Sequence, residues 1–158
     1  MPDPSGLTTN PFAALTAVAG PAILTNACSV LALGTSNRLA RVVDRTRTVT
    51  REMAALEPGS AEHTGRARQR ANLAVRAHLL LRALRAVYGA LGAFAASALL
   101  LVIGSALAFS QRSVAWEPVA GIALVVGASA VVALAYGCIL MVRETRLAVQ
   151  NLTEETQF

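Results

Sequence analysis

Lysine is absent from this 158-residue chain, and all fourteen basic residues are arginine. We read that skew as base-composition bias rather than mechanism. Aromatic residues make up only 4% of the chain, and none falls in the arginine-rich stretch 38–85, so the stacking platforms of a single-strand nucleic-acid binder are missing where the charge is. The two cysteines, Cys28 and Cys138, lie in separate apolar stretches at different expected depths, which argues against a disulfide framework. His63 and His78 have no third ligand at metal-binding spacing. Charged residues are scarce at 15%, against about a quarter in an ordinary soluble domain. Three windows contain none at all: 11–37, 86–111 and 118–142.

Those windows hold the apolar content. Hydrophobic residues are 54% of the chain and mean hydropathy is +0.52, and each window is long enough to cross a hydrocarbon layer about 30 Å thick as a helix. One such stretch fits the core of a soluble bundle; three do not. The sequence therefore predicts an all-α integral membrane protein with three transmembrane helices, spanning about 12–36, 86–109 and 119–142.

Net charge is +5, and its placement matters more than its size. Arg38, Arg41, Arg45, Arg47 and Arg51 follow the first span. Arg66, Arg68, Arg70, Arg76, Arg82 and Arg85 precede the second, and Arg143 and Arg146 follow the third. Only Arg112 lies between the second and third. By the positive-inside rule this predicts an N-terminus outside, with the long hairpin and the C-terminus inside, in the cytoplasm. Membrane topology and anionic lipid headgroups account for the arginines without a nucleic-acid partner.

Residues 1–10 contain Pro2, Pro4 and Gly6 and no basic residue, so they predict a disordered periplasmic tail rather than a signal peptide. Residues 11–152 read as a single three-helix membrane domain, and 153–158 as a frayed cytoplasmic tail. Thr25-Asn26-Ala27-Cys28 lacks the leucine and basic flank of a lipoprotein cleavage box, which leaves Cys28 as a buried thiol. Pro21 removes a backbone donor inside the first span and should loosen the helix there.

Nothing breaks the first helix where its span ends, so it should continue in water to Leu56. Pro58-Gly59 then turns the chain, and Ser60 caps the second helix. The first two helices thereby extend into a long antiparallel cytoplasmic helical hairpin over 37–85, with its turn at 57–60. Val42, Thr46, Val49, Met53 and Leu56 give the first helix a seam, and Ala67, Ala71, Ala74, His78 and Leu81 suggest one for the second. Within the membrane, Gly89 with Ala93, Gly92 with Ala96 and Gly104 with Ala108 have the spacing of tightly packed helices. The loop 110–118 is short, and Trp116 is placed as an interfacial anchor.

Two sets of candidate site residues emerge. Asn26, Ser29, Ser36, Asn37 and Asp44 recur at steps of three and four, so they share one face of the first helix. That face either packs against a neighbouring helix or lines a water-filled path. At the inner interface Arg38, Arg41, Arg45, Arg82, Arg85, Arg143 and Arg146 gather around few acids. Glu144 is expected to pair with an arginine of helix one or two, and Asp44 with Arg41, Arg47 or Arg82. The remaining arginines are expected to snorkel to lipid phosphates.

The run Asn37-Arg38-Leu39-Ala40-Arg41-Val42-Val43-Asp44-Arg45-Thr46-Arg47 resembles the hallmark of a bacterial membrane-protein family catalogued as domain of unknown function number 2721. Members show Asn-Arg-Leu-x-Arg, two hydrophobic residues, then Asp-Arg-x-Arg at the end of their first span. Arg143-Glu144-Thr145-Arg146-Leu147-Ala148 is similar to the end of their third. The resemblance covers about residues 11–150 and implies three helices and an inner-membrane location, with no activity to carry over.

The residues point away from an enzyme and call for no cofactor or metal. The spans hold no ionisable side chain except cysteine and tyrosine, and no catalytic set or phosphate loop is present. The expected function is a self-associating membrane scaffold or adaptor with an arginine-rich hairpin, whose partners are the anionic bilayer, further copies of itself and a protein of unknown identity. The alternative is an oligomeric channel-like protein with the first helix lining the path.

Overall fold

The computed structural model describes the backbone of residues 11–109 and 113–155 and the side chains of 18–106 and 118–149. Among these residues the chain is all-α, with α1 (Pro11–Ala54), α2 (Ala61–Phe109) and α3 (Ser113–Glu155). The helices contain 44, 49 and 43 residues, whereas about 20 suffice to cross a bilayer. All three are long and apolar enough to do so, and no more than 22% of the most apolar stretch of any of them is buried inside the protein. Ile23, Val30, Leu99, Leu124 and Val132 each leave more than half their surface exposed. So much outward apolar surface exceeds what a soluble monomer presents and marks a membrane protein.

Local chemistry keeps the helices long. Pro11 opens α1 where a backbone N–H would have had no partner anyway, and α1 continues through Pro21. Threonine, otherwise a weak helix former, satisfies its hydroxyl against its own helix. Thr25 donates to the Pro21 carbonyl at 2.8 Å, Thr46 to Val42 at 2.8 Å and Thr50 to Thr46 at 2.8 Å. α1 ends at Ala54, where short bonds from Ala55 N–H to Glu52 and from Leu56 N–H to Met53 tighten its last turn. Gly59 takes φ +90°, and the Ser60 hydroxyl oxygen accepts the His63 N–H at 3.1 Å to cap α2. The turn therefore lies where Pro58-Gly59 indicates.

The sequence-expected tail 1–10, residues 110–112 of the loop, residues 156–158 and the Trp116 side chain lie outside the described residues. α3 begins at Ser113, within the stretch read as loop, and continues past Val142 to Glu155.

The chain divides into two compact units. The first comprises residues 1–30 and 87–134. Its buried side chains include Cys28, Val87, Ala90, Phe94, Ser97, Ala123 and Ala130. Ser97 crosses from α2 to α3, donating its hydroxyl to the Ala123 carbonyl at 2.9 Å. Gly127 makes room for it, because a Cβ there would stand 3.1 Å from Ser97 Oγ. Gly104 lies near Val119, at 3.5 Å from an added Cβ, while Gly89 and Gly92 face open space. The expected packing through Gly89 and Gly92 is thus corrected: α2 presents Val87, Ala90, Phe94 and Ser97 instead, at helical steps of three and four.

The second unit comprises residues 31–86 and 135–158. Its core joins Val42 and Val49 of α1 to Leu73 and Leu80 of α2, flanked by Leu39, Met53 and Ala77. The α1 seam matches the sequence reading. The α2 seam does not, since Ala71, Ala74, His78 and Leu81 are exposed. The leucine row wins over the alanine row because burying a leucine is worth about 1.5–3 kcal/mol. Near the turn, Arg66 Nη1 of α2 lies 2.9 Å from Glu52 Oε2 of α1 as an ion pair. Buried Thr35 donates to the Leu31 carbonyl at 2.7 Å and touches the Met141 thioether of α3 at 3.1 Å.

Candidate functional site

The second unit holds a carboxylate where a helix core ordinarily has an apolar residue. Gly137, Leu140 and Glu144 form one buried row of α3, so Glu144 points inward with only 4% of its side chain exposed. An isolated carboxylate so placed would cost several kcal/mol in lost hydration. Arg76 of α2 offsets that cost: its Nε donates to Glu144 Oε1 at 2.9 Å, and its Nη2 lies 2.8 Å from the same oxygen as an ion pair. Arg76 can reach because it shares the α2 face of Leu73, Ala77 and Leu80, the same face that forms the seam. From α1, Arg38 Nη1 approaches Glu144 Oε2 at 3.8 Å and donates to Thr145 Oγ1 at 3.3 Å. Residues from all three helices therefore converge on one carboxylate.

Beside this pair is a groove of about 430 Å³. Arg38, Arg41 and Arg45 of α1 line it, with Arg76 and Glu144 opposite and Val42 and Leu73 as an apolar floor. The α1 arginines share this wall because steps of three and four place them on one helix face. Four guanidinium groups against one carboxylate leave the groove a formal surplus of three positive charges. Arg41 has no ion-pair partner among the described residues, and Arg45 reaches only Glu52, at 3.9 Å.

Of the sequence-expected cluster, the structure thus brings together Arg38, Arg41, Arg45 and Glu144. Arg82, Arg85, Arg143 and Arg146 are exposed, line no part of this groove and have no ion-pair partner among the described residues. Glu144 pairs with helices one and two, as expected. Asp44 pairs with Arg47 at 3.7 Å, with both groups largely exposed, so the contact contributes little to stability. Arg76 and Thr145 were not singled out by sequence reasoning. The leucine row that carries Arg76 and the position of Glu144 in the buried row of α3 were the available signals.

On α1, Asn26, Ser29, Asn37 and Asp44 are exposed and Ser36 is half-buried. Ser29 donates to the Thr25 carbonyl of its own helix at 3.0 Å. Among the described residues this face does not pack against a neighbouring helix; Cys28, Ala32, Thr35, Val42 and Val49 occupy the buried side. Neither cysteine is in a disulfide. Among the described residues, no group of three His, Cys, Asp or Glu is placed to hold a metal ion.

A family model described as a protein of unknown function (DUF2721) matches residues 18–154. No curated protein and no solved structure matches the chain.

Proposed function

Because the chain belongs to the DUF2721 family of proteins of unknown function, we propose from its own geometry that it is a non-enzymatic, self-associating membrane scaffold. The observation that carries this reading is the outward face of α1 in the apolar stretch, where Ala22, Asn26 and Ser29 are exposed. The Asn26 carboxamide has no hydrogen-bond partner among the described residues. An unpaired amide in an apolar medium costs about 2–7 kcal/mol. A second copy of the chain presents the same row, so a two-fold contact pairs each Asn26 with its counterpart while Ala22 and Ser29 allow close helix approach.

In this reading the hairpin of α1 and α2 and the end of α3 stand in the cytoplasm of a bacterial inner membrane, with the N-terminus outside. The arginine skew supports that orientation. The exposed arginines then anchor the scaffold to anionic headgroups and remain available to an acidic protein partner.

Mass measurement of the full chain in mild detergent tests the reading. Two copies are expected, with Asn26→Leu shifting the population toward monomer. A wild-type monomer at all concentrations rejects it. The same outward face favours a second reading, a ring with α1 innermost that conducts ions. Four or more copies, with liposome ion flux altered by Asn26→Leu or Ser29→Leu, would select the ring; a dimer without flux excludes it.

A further inference from the structure

We propose that the groove between Arg38, Arg41, Arg45 and Arg76 is a binding site for a phosphate group, separate from the self-association face and independent of that reading. Three features support it together. First, the charge is uncompensated. Glu144 is committed to Arg76, whose Nε and Nη2 both lie within 2.9 Å of the same carboxylate oxygen, which leaves three α1 guanidinium groups with weak partners or none. Arg38 is 3.8 Å from Glu144, Arg45 is 3.9 Å from Glu52, and Arg41 has no ion-pair partner among the described residues. Second, those three residues share one helix face and line one wall of the groove. Guanidinium forks match the oxygens of a phosphate in a way that a point charge does not. Third, the groove, open on one side, holds about 430 Å³, within the range of roughly 300–1,000 Å³ for small-molecule sites.

Glu144 and Thr145 act here as positioning residues. The carboxylate fixes Arg76 as the far wall and draws Arg38 inward, and the Thr145 hydroxyl oxygen accepts from Arg38 at 3.3 Å. Held side chains lose less conformational freedom when a ligand arrives. Val42 and Leu73 close the floor, excluding water beneath the bound group and strengthening the charge-assisted bonds above it.

The phosphate could come from a lipid headgroup or from a soluble phosphate. Arg38 is the first charged residue after the charge-free window 11–37, so the groove lies within reach of the depth at which lipid phosphates lie in a bilayer. Both sources share the chemistry, and the experiment separates them.

The full chain, purified in an uncharged detergent, is titrated with dioctanoyl phosphatidic acid, with inorganic phosphate, and with zwitterionic dioctanoyl phosphatidylcholine, and binding is read by native mass spectrometry and calorimetry. We expect saturable binding of one phosphatidic acid per chain, weakened about ten- to hundred-fold in Arg41→Gln and Arg45→Gln, the loss of one charge-assisted hydrogen bond. Phosphatidylcholine should bind far more weakly. Arg68→Gln and Arg70→Gln remove the same charge from exposed positions outside the groove and should leave the affinity unchanged. Inorganic phosphate binding as tightly as the lipid assigns the site to a soluble phosphate; lipid binding alone assigns it to a headgroup. Absence of saturable binding to either, or equal weakening by Arg68→Gln and Arg70→Gln, overturns the proposal.

Discussion

Replacing Arg76 with methionine leaves the Glu144 carboxylate, 4% exposed, with only Arg38 nearby at 3.8 Å. Stripping one partner from a buried ion pair costs about 3–5 kcal/mol, and Arg38 retains part of the compensation, so a loss of about 3 kcal/mol is expected. Glu144→Met acts on the opposite partner and should be milder. The Arg76 side chain is 26% exposed and that of Arg38 53%, so both guanidinium groups can regain water, and about 1–2 kcal/mol is expected. The double variant removes both charges and buries two flexible apolar side chains. It should return to within about 1 kcal/mol of the parent, since apolar replacements of buried pairs are often neutral. The pair therefore has a large coupling energy and an unequal pair of single costs. Reversible unfolding in mixed micelles of increasing sodium dodecyl sulfate, followed by circular dichroism, gives all four corners of the cycle. Additive single costs, or Glu144→Met as the more damaging change, would refute the reasoning.

A second cycle concerns the α2–α3 contact of the other unit. Ser97→Ala removes the hydrogen bond to the Ala123 carbonyl and should cost about 0.6 kcal/mol, the average for such bonds in membranes, and no more than about 1.7 kcal/mol. Gly127→Ala should destabilise the parent, because the new methyl meets Ser97 Oγ at 3.1 Å, but not the Ser97→Ala background, where the nearest Ser97 atom is Cβ at 3.8 Å. Equal costs in both backgrounds would remove the contact as the cause. At the turn, Gly59→Ala should lower stability by about 1–2 kcal/mol, because φ is +90° there. Gly65→Ala in the first turns of α2 should instead raise it by up to about 1 kcal/mol. An added Cβ meets nothing within 4 Å at either position, so thermal unfolding of the two variants isolates the backbone effect.

Long-range order in this chain was legible wherever a single residue type carried the signal. The charge-free windows marked the apolar helices, and Pro58-Gly59-Ser60 marked the turn and cap. The α1 seam through Val42 and Val49 was equally plain, because the alternative faces carry arginine, aspartate or threonine. On α2 several alanine rows compete, and small-residue spacing cannot choose among them; the choice rests on Leu73, Leu80 and Phe94, which bury the most surface. The groove was half legible. Arg38, Arg41, Arg45 and Glu144 stand out as charges, but sequence position cannot show which of the many arginines faces a carboxylate 68 residues away. Arg76 was passed over because it precedes the second span by several turns, whereas Glu144 was grouped with Arg82 and Arg85 at the ends of the spans. The continuation of α3 past Val142 is what brings Glu144 level with it.

The face of α1 through Asn26 and Ser29 decides whether the chain acts alone or in company. The most direct test starts from full-length protein in native membranes, with Cys28→Ala and Cys138→Ala removing the endogenous thiols. Single substitutions Asn26→Cys, Ser29→Cys, Gly20→Cys and Ala27→Cys are then oxidised and resolved by size without reductant. All four positions are exposed, and adjacent residues differ by about 100° around a helix, so Asn26 and Ala27 share a depth but not a face. The account predicts disulfide-linked dimers for Asn26→Cys and Ser29→Cys and monomers for Gly20→Cys and Ala27→Cys. Cross-linking spread equally over the four positions, or confined to Gly20→Cys and Ala27→Cys, would contradict it.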